Sequence, residues 1–151
     1  MQTEEVTEKT IGKIKQSEDK VNVYIVDHDV EYRTSLKDSL EKEFYETMNV
    51  KTFTTGEALI HEIKKAQKKP NVILLDYLGN RHLNLNSVKH IVDDISRISP
   101  GTGIIMLSHK EYEEQAMKAL AYGAHDYVVK DKFTHEHVLN SVKKALNPPK
   151  S

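Results

Sequence analysis

The sequence predicts a doubly wound α/β fold in which five parallel strands alternate with five helices. Two observations predict it. Four short apolar runs lack any polar–apolar alternation: Val23-Tyr24-Ile25-Val26, Val72-Ile73-Leu74-Leu75, Ile104-Ile105-Met106-Leu107 and Tyr127-Val128-Val129. Such runs suit parallel strands covered on both faces. Each gap between strands also holds about one helix, with apolar positions three or four apart. A weaker strand, Val50 to Phe53, completes the five. Right-handed crossovers leave few topologies, and ligands of such sheets bind at the carboxyl ends of the strands where strand order reverses.

The elements follow in order. Residues 1 to 20 are polar, with apolar points at Val6, Ile11 and Ile14, and read as a solvated tail or a short extra helix that docks on a partner. After the first strand, Asp29 suits a helix N-cap, and Leu36, Leu40 and Phe44 share a face. Thr54-x-x-Glu57 reads as a capping box before the Leu59, Ile63, Ala66 stripe. Val88, Ile91, Ile95 and Ile98 form a third stripe that stops at Pro100. Ala116, Met117 and Leu120 belong to a fourth helix, over about Lys110 to Tyr122, which Gly123 ends. Thr134 is placed to cap the last helix, with Phe133 and Val138 as a hydrophobic staple. Leu139, Val142 and Leu146 continue that helix, and Pro148-Pro149 ends it. One domain over 21–147 is expected, with 148–151 as a tail.

Composition narrows the function. Charged residues make up 30% of the chain but are interspersed, with a net charge of -1, so no basic footprint for nucleic acid appears. There is no cysteine, which excludes disulfides and thiolate metal sites. No apolar run approaches the ~20 residues needed to span a bilayer, and the N-terminus lacks a signal peptide's apolar core. A cytoplasmic protein without nucleic-acid or membrane partners is expected.

The strand ends are chemically loaded. Strand 1 ends in Asp27-His28-Asp29, strand 3 in Asp76, strand 4 in Ser108 and strand 5 in Lys130. In a parallel sheet these ends meet on one edge. A carboxylate, a hydroxyl and an ammonium within reach of one another suit phosphoryl chemistry. The carboxylate accepts the group, the lysine and hydroxyl hold its oxygens, and further acids hold a divalent cation.

From Val21 to Leu146 the chain resembles the receiver domains of two-component response regulators. The resemblance rests on Val26-Asp27, Leu74-Leu75-Asp76, Ile105-Met106-Leu107-Ser108 and, most specifically, Gly123-Ala124-His125-Asp126-Tyr127-Val128-Val129-Lys130. It implies a flavodoxin-like (βα)5 receiver fold and a signalling switch, not an enzyme. It implies that Asp76 takes a phosphoryl group from a histidine kinase or phosphotransfer protein. Magnesium would be held by Asp27, Asp76 and the Leu78 backbone carbonyl. Ser108 and Lys130 would bind the phosphoryl group, and Tyr127 would be the rotating aromatic of the switch. The resemblance also allows a dimer through the face of the fourth helix, fifth strand and fifth helix. With no output domain after Leu146, output is expected through a downstream protein partner or by onward relay.

The sequence departs from the family in places. The second acid after strand 1 is replaced by His28, a poor magnesium ligand, which weakens magnesium and favours manganese. Gly79, Asn80 and Asn84 stand in the loop after Asp76, where Asn84 can replace a glycine. His109 occupies the small position after Ser108 and crowds the phosphoryl entrance, and Asp131 replaces a proline after Lys130. His28 and His109 motivate a rival reading, a pseudo-receiver used for interaction without phosphorylation. Asp27-x-Asp29 also resembles the nucleophile motif of haloacid-dehalogenase-type phosphatases, though a helical pattern follows at once where that family inserts a flap. A flavin or nucleotide carrier fits less well, because two aspartates after strand 1 would repel a phosphate. His135 and His137, two apart on a helix, do not face each other and are expected to be solvated.

Overall fold

A computed structural model describes residues 20–77 and 85–147. The expectations for residues 1–19, for Leu78, Gly79, Asn80 and Asn84, and for Pro148-Pro149 lie outside the described residues. In chain order the elements are β1 (Val21–Val26), α1 (Val30–Glu43), β2 (Met48–Phe53), α2 (Gly56–Lys65), β3 (Val72–Asp76) and α3 (Leu85–Ile98). Then come β4 (Gly103–His109), α4 (Glu113–Lys118) between the 3-10 turns Lys110–Tyr112 and Ala119–Tyr122, β5 (Asp126–Lys130) and α5 (Thr134–Leu146). The five strands form one sheet in the order β2-β1-β3-β4-β5, and every pairing is parallel. This is the flavodoxin-like doubly wound fold.

Burial on both faces explains the unbroken apolar strands. Successive residues of β1 alternate between two cores. Tyr24 and Val26 join Ile73, Leu75, Ile104 and Met106 against Leu59 and Ile63 of α2 and Val88, Val92 and Ile95 of α3. Val23 and Ile25 join Leu74, Ile105, Leu107 and Val128 against Leu36 and Leu40 of α1 and Val138 and Val142 of α5. Leu36 and Leu40 are fully buried, so truncating either to alanine would cost roughly 2–5 kcal/mol.

Several local expectations shift. β2 begins at Met48 rather than Val50, because Met48 pairs in register with Val21 and its side chain is buried. Helix α2 starts at Gly56, so Thr55, not Thr54, is the N-cap, and its Oγ1 accepts from the Ala58 N–H at 3.2 Å. The fourth helical stretch covers Lys110 to Tyr122 as expected, but as a short α-helix between two 3-10 turns. There Ala116 and Ala119 make the buried contacts, while Met117 and Leu120 face outward. Gly123 stops this stretch at φ 128°, a conformation that L side chains resist.

Thr134 does not cap α5. It is the first helical residue, and its hydroxyl donates to the Asp131 carbonyl at 2.6 Å and accepts from the Asp131 N–H at 2.5 Å, closing the turn before the helix. Phe133 is half exposed beside the His137 ring instead of stapled onto Val138. His135 is not simply solvated either. Its Nδ1 lies 2.8 Å from Ser39 Oγ and ties α5 to α1.

Candidate functional site

The topology places the site. β1 and β3 are neighbours at the centre of the sheet, and α1 leaves β1 on one face while α2, which returns to β3, packs on the other. The carboxyl ends of β1 and β3 therefore open beside each other, and Asp27 and Asp76 sit there almost completely buried. β4 lies beside β3, with Asp76 level with Leu107, so Ser108 begins the next step out along the strand. β5 lies beside β4 and brings Lys130 level with His109.

Lys130 reaches back across the edge. Its Nζ donates to Asp27 Oδ2 at 2.7 Å and lies 3.1 Å from Asp76 Oδ1, an ion pair without aligned hydrogen-bond geometry. The other two carboxylate oxygens face His28, whose Nδ1 lies 3.0 Å from Asp76 Oδ2 and 3.7 Å from Asp27 Oδ1. Four oxygens are thus divided between an ammonium on one side and an imidazole on the other. Asp27 Oδ1 also accepts from the Asp29 N–H at 2.9 Å.

The electrostatics follow from this crowding. Burial, and then the charge of Asp76, raise the pKa of Asp27 above the ordinary carboxylate value, against the opposing pull of Lys130 and the Asp29 N–H. Two buried acids facing one buried lysine leave a net negative pocket. The Ser108 hydroxyl, one residue beyond the β4 partner of Asp76, is buried without a hydrogen-bond partner. Asp27, His28 and Asp76 each offer a donor atom within 4.8 Å of the others, the spacing of a divalent-cation site.

The remaining residues divide. Asp29 takes the N-cap role, its Oδ1 accepting from the N–H groups of Glu31 and Tyr32, and α1 follows with no flap inserted. Asp29 is therefore occupied with the helix, which disfavours the phosphatase reading. His109 is exposed and lines a cleft of about 240 Å³ with His28, Tyr32, Lys130 and Thr134. Tyr127 is half buried against the α2/α3/α4 core, and its hydroxyl lies 3.5 Å from Glu113 Oε1 on α4.

Two residues escaped sequence reasoning. The Tyr32 ring lies under the lysine, with Lys130 Nζ 4.4 Å from its centroid. Burial and then the Asp27 charge push the Tyr32 hydroxyl's pKa well up. Arg33 Nη1 donates to the Asp27 carbonyl at 3.0 Å and fixes the backbone after β1. The only available signal was spacing: Tyr32 and Arg33 follow the capping Asp29 within one turn, on the end of α1 that overhangs the strand edge.

Residues 23–143 match the response regulator receiver domain family. The chain belongs to that family. Solved receiver structures share the fold. DrrB of Thermotoga maritima, an OmpR/PhoB homologue, is 26% identical over 84% of this chain, with a TM-score of 0.65. This chain covers 52% of DrrB, about half its length. The receiver domain of NtrX from Brucella abortus is 22% identical over 84% of this chain and 99% of its own, with a TM-score of 0.69. The signal receiver domain of a LuxO repressor protein from Vibrio parahaemolyticus is 20% identical over 84% of this chain and 90% of its own, at 0.67. No curated protein matches the sequence. Receiver domains are signalling modules of two-component systems, generally not enzymes, and work with histidine kinases and effector domains. They bind magnesium at an acidic site, and the buried acids of this receiver domain, with Asp27 Oδ1 and Asp76 Oδ2 turned away from Lys130 and toward His28 Nδ1, fit a divalent cation.

Proposed function

We propose that this receiver domain, spanning 21–147, is a phosphoacceptor of a two-component phosphorelay and that Asp76 is the residue modified. The observation that carries the reading is the setting of the Asp76 carboxylate. It is buried at the end of the central strand and paired to Lys130 at 3.1 Å, and near the end of the adjacent strand stands Ser108, whose buried hydroxyl has no partner. A buried donor left unmatched costs about 1–3 kcal/mol, so an acceptor that arrives with the phosphoryl group relieves it.

In the transfer, an Asp76 oxygen forms a bond to phosphorus while the phosphorus–nitrogen bond of a phosphohistidine on the kinase or phosphotransfer protein breaks. The electron pair returns to the donor imidazole. Lys130 neutralises the charge gathering on the transferred oxygens, and Ser108 donates to one of them. Asp27 and Asp76, with His28 as a further donor, would hold magnesium or manganese, which would supply positive charge that screens acceptor from phosphate; the Leu78 carbonyl that the resemblance implies as another donor lies outside the described residues. Tyr32 and the exposed His109 line the entrance.

The output is assigned to the α4–β5–α5 face, where the Tyr127 hydroxyl and Lys110 both reach Glu113. Drawing Ser108 toward the phosphoryl group frees space beside β4, into which Tyr127 turns from its half-buried position. A downstream protein, or a second copy of the chain, reads the altered face. No helix among the described residues is long and apolar enough to cross a membrane. The test is incubation with phosphoramidate and a divalent cation. One base-labile adduct is expected, absent in Asp76→Asn. Retention of the adduct in that variant would refute the assignment, and no adduct in the wild type would favour a phosphorylation-independent interaction module.

A further inference from the structure

The division of the carboxylate oxygens has a consequence for the metal. Lys130 occupies Asp27 Oδ2 and Asp76 Oδ1, at 2.7 and 3.1 Å. A cation can therefore enter only on the side of Asp27 Oδ1 and Asp76 Oδ2, and on that side stands the His28 ring. The ring is held with Nδ1, not a carbon edge, toward both oxygens. Its 3.0 Å separation from Asp76 Oδ2 matches the roughly 3 Å between neighbouring donors of an octahedral ion with bonds near 2.1 Å, and Asp27 Oδ1, at 3.7 Å, lies somewhat beyond it. The approach of an ion between the three atoms needs little rearrangement.

We infer that His28 Nδ1 is a direct ligand and that the site takes a first-row transition ion, manganese foremost, in preference to magnesium. The inference rests on the reading of this edge as the cation-assisted phosphoacceptor site. Magnesium dehydrates reluctantly and selects oxygen, whereas imidazole suits manganese and the later divalent ions. Two carboxylates and one imidazole form a mixed donor set of the kind those ions accept. The Asp29 N–H on Asp27 Oδ1 orients the carboxylate from behind, as outer partners of metal ligands do. His28 itself is a third exposed, so the ring can tilt without disturbing the core.

The experiment uses the purified chain, stripped with chelator, and no phosphodonor. Manganese and magnesium are titrated calorimetrically, and the manganese complex is examined by pulsed electron paramagnetic resonance for nitrogen hyperfine coupling. Manganese should bind at least about tenfold more tightly than magnesium, with a coupled nitrogen. In His28→Asn the nitrogen coupling should vanish and the preference should collapse. In His28→Asp the coupling should vanish and magnesium affinity should rise. Circular dichroism checks that each variant is folded. Equal affinities for the two ions, or a nitrogen coupling unchanged in His28→Asn, overturns the inference. If those results accompany normal phosphorylation at Asp76, the phosphoacceptor reading stands and only the ligand assignment falls. If neither ion binds and no adduct forms with phosphoramidate, both fall.

Discussion

Replacing Lys130 with methionine tests the charge arithmetic of the site most directly. The side chain is 8% exposed and contacts two carboxylates that are 0% and 1% exposed. At an effective dielectric of about 20, each contact is worth a gross attraction of roughly 5–6 kcal/mol. Desolvation of the ammonium offsets much of that, and removal of one partner from a buried ion pair costs about 3–5 kcal/mol net. Methionine fills the same space, so packing changes little. With a urea slope of about 2 kcal/mol per molar, the unfolding midpoint should fall by roughly 2 M in chelator.

Two further measurements belong to this prediction. The pKa of Asp27 is raised in the fold, first by burial and then by Asp76. A carboxyl with a raised folded pKa contributes stability at pH values below its unfolded value, near 3.8, and loses it as pH rises through the folded value. At neutral pH the Asp27 charge therefore opposes folding. Asp27→Asn should raise the cation-free midpoint at pH 7, by a margin that shrinks toward pH 4. In the Asp27→Asn background the loss from Lys130→Met should be smaller, because one buried charge is left unpaired instead of two. A saturating divalent cation should also recover more stability in Lys130→Met than in the wild type. If Lys130→Met costs under about 1 kcal/mol, or costs the same with and without the Asp27 charge, the lysine is not what holds the two acids together.

Two other substitutions separate fold from switch. Ser108→Ala removes a buried hydroxyl with no resting partner, so stability should not fall and should rise by up to about 1–3 kcal/mol. Yet nuclear magnetic resonance of the beryllofluoride form should show Tyr127 and the α4–β5–α5 face unmoved, and a full response there would refute the coupling. Gly123→Ala forces an L side chain to φ 128° and brings its Cβ 3.2 Å from Ser96 Oγ. It should cost about 1–3 kcal/mol and lower Tm by several degrees in calorimetry, and an unchanged Tm would show that the turn relaxes freely.

Element type and order were legible in the sequence because strand runs buried on both faces cannot be mistaken for amphipathic ones. The ends of elements were less so. Thr54 and Thr55 carry the same capping chemistry, so residue type alone could not say that Thr55 caps α2 and that Gly56, packed where a Cβ would lie 2.5 Å from Ile91 Cδ1, begins it. Of Ala116, Met117 and Leu120, which the sequence assigned to the fourth helical stretch, only Ala116 turns inward, joined by Ala119, and hydrophobicity alone did not show which face is buried. The acids, hydroxyl and lysine at the strand ends were legible because topology alone brings strand ends together. Tyr32 and Arg33 were not, because a helix presents its first turn to a site only through the angle at which it leaves the strand, and no residue pattern states that angle.

On the proposed reading, the geometry also accounts for how such a site would respond to phosphorylation. Three groups compete for two carboxylates: Lys130, whatever stands at His28 Nδ1, and the incoming phosphoryl group. Modification of Asp76 converts a single negative charge into a bulkier group with about −1.5 to −2 charges. Lys130 must then divide itself differently between Asp27 and the new oxygens, and the Ser108 hydroxyl gains its first partner. Both residues sit at the ends of adjacent paired strands, with Ser108 level with Val129 and His109 level with Lys130. A displacement of either is felt by the other through the same ladder of hydrogen bonds. Tyr127 on β5 is the side chain that joins this ladder to α4, through Glu113. A switch of this kind would need no long path: one acid, one hydroxyl and one aromatic on three neighbouring strands would bias a helix whose buried contacts include Ala116 and Ala119 and whose Glu113 meets the Tyr127 hydroxyl at 3.5 Å.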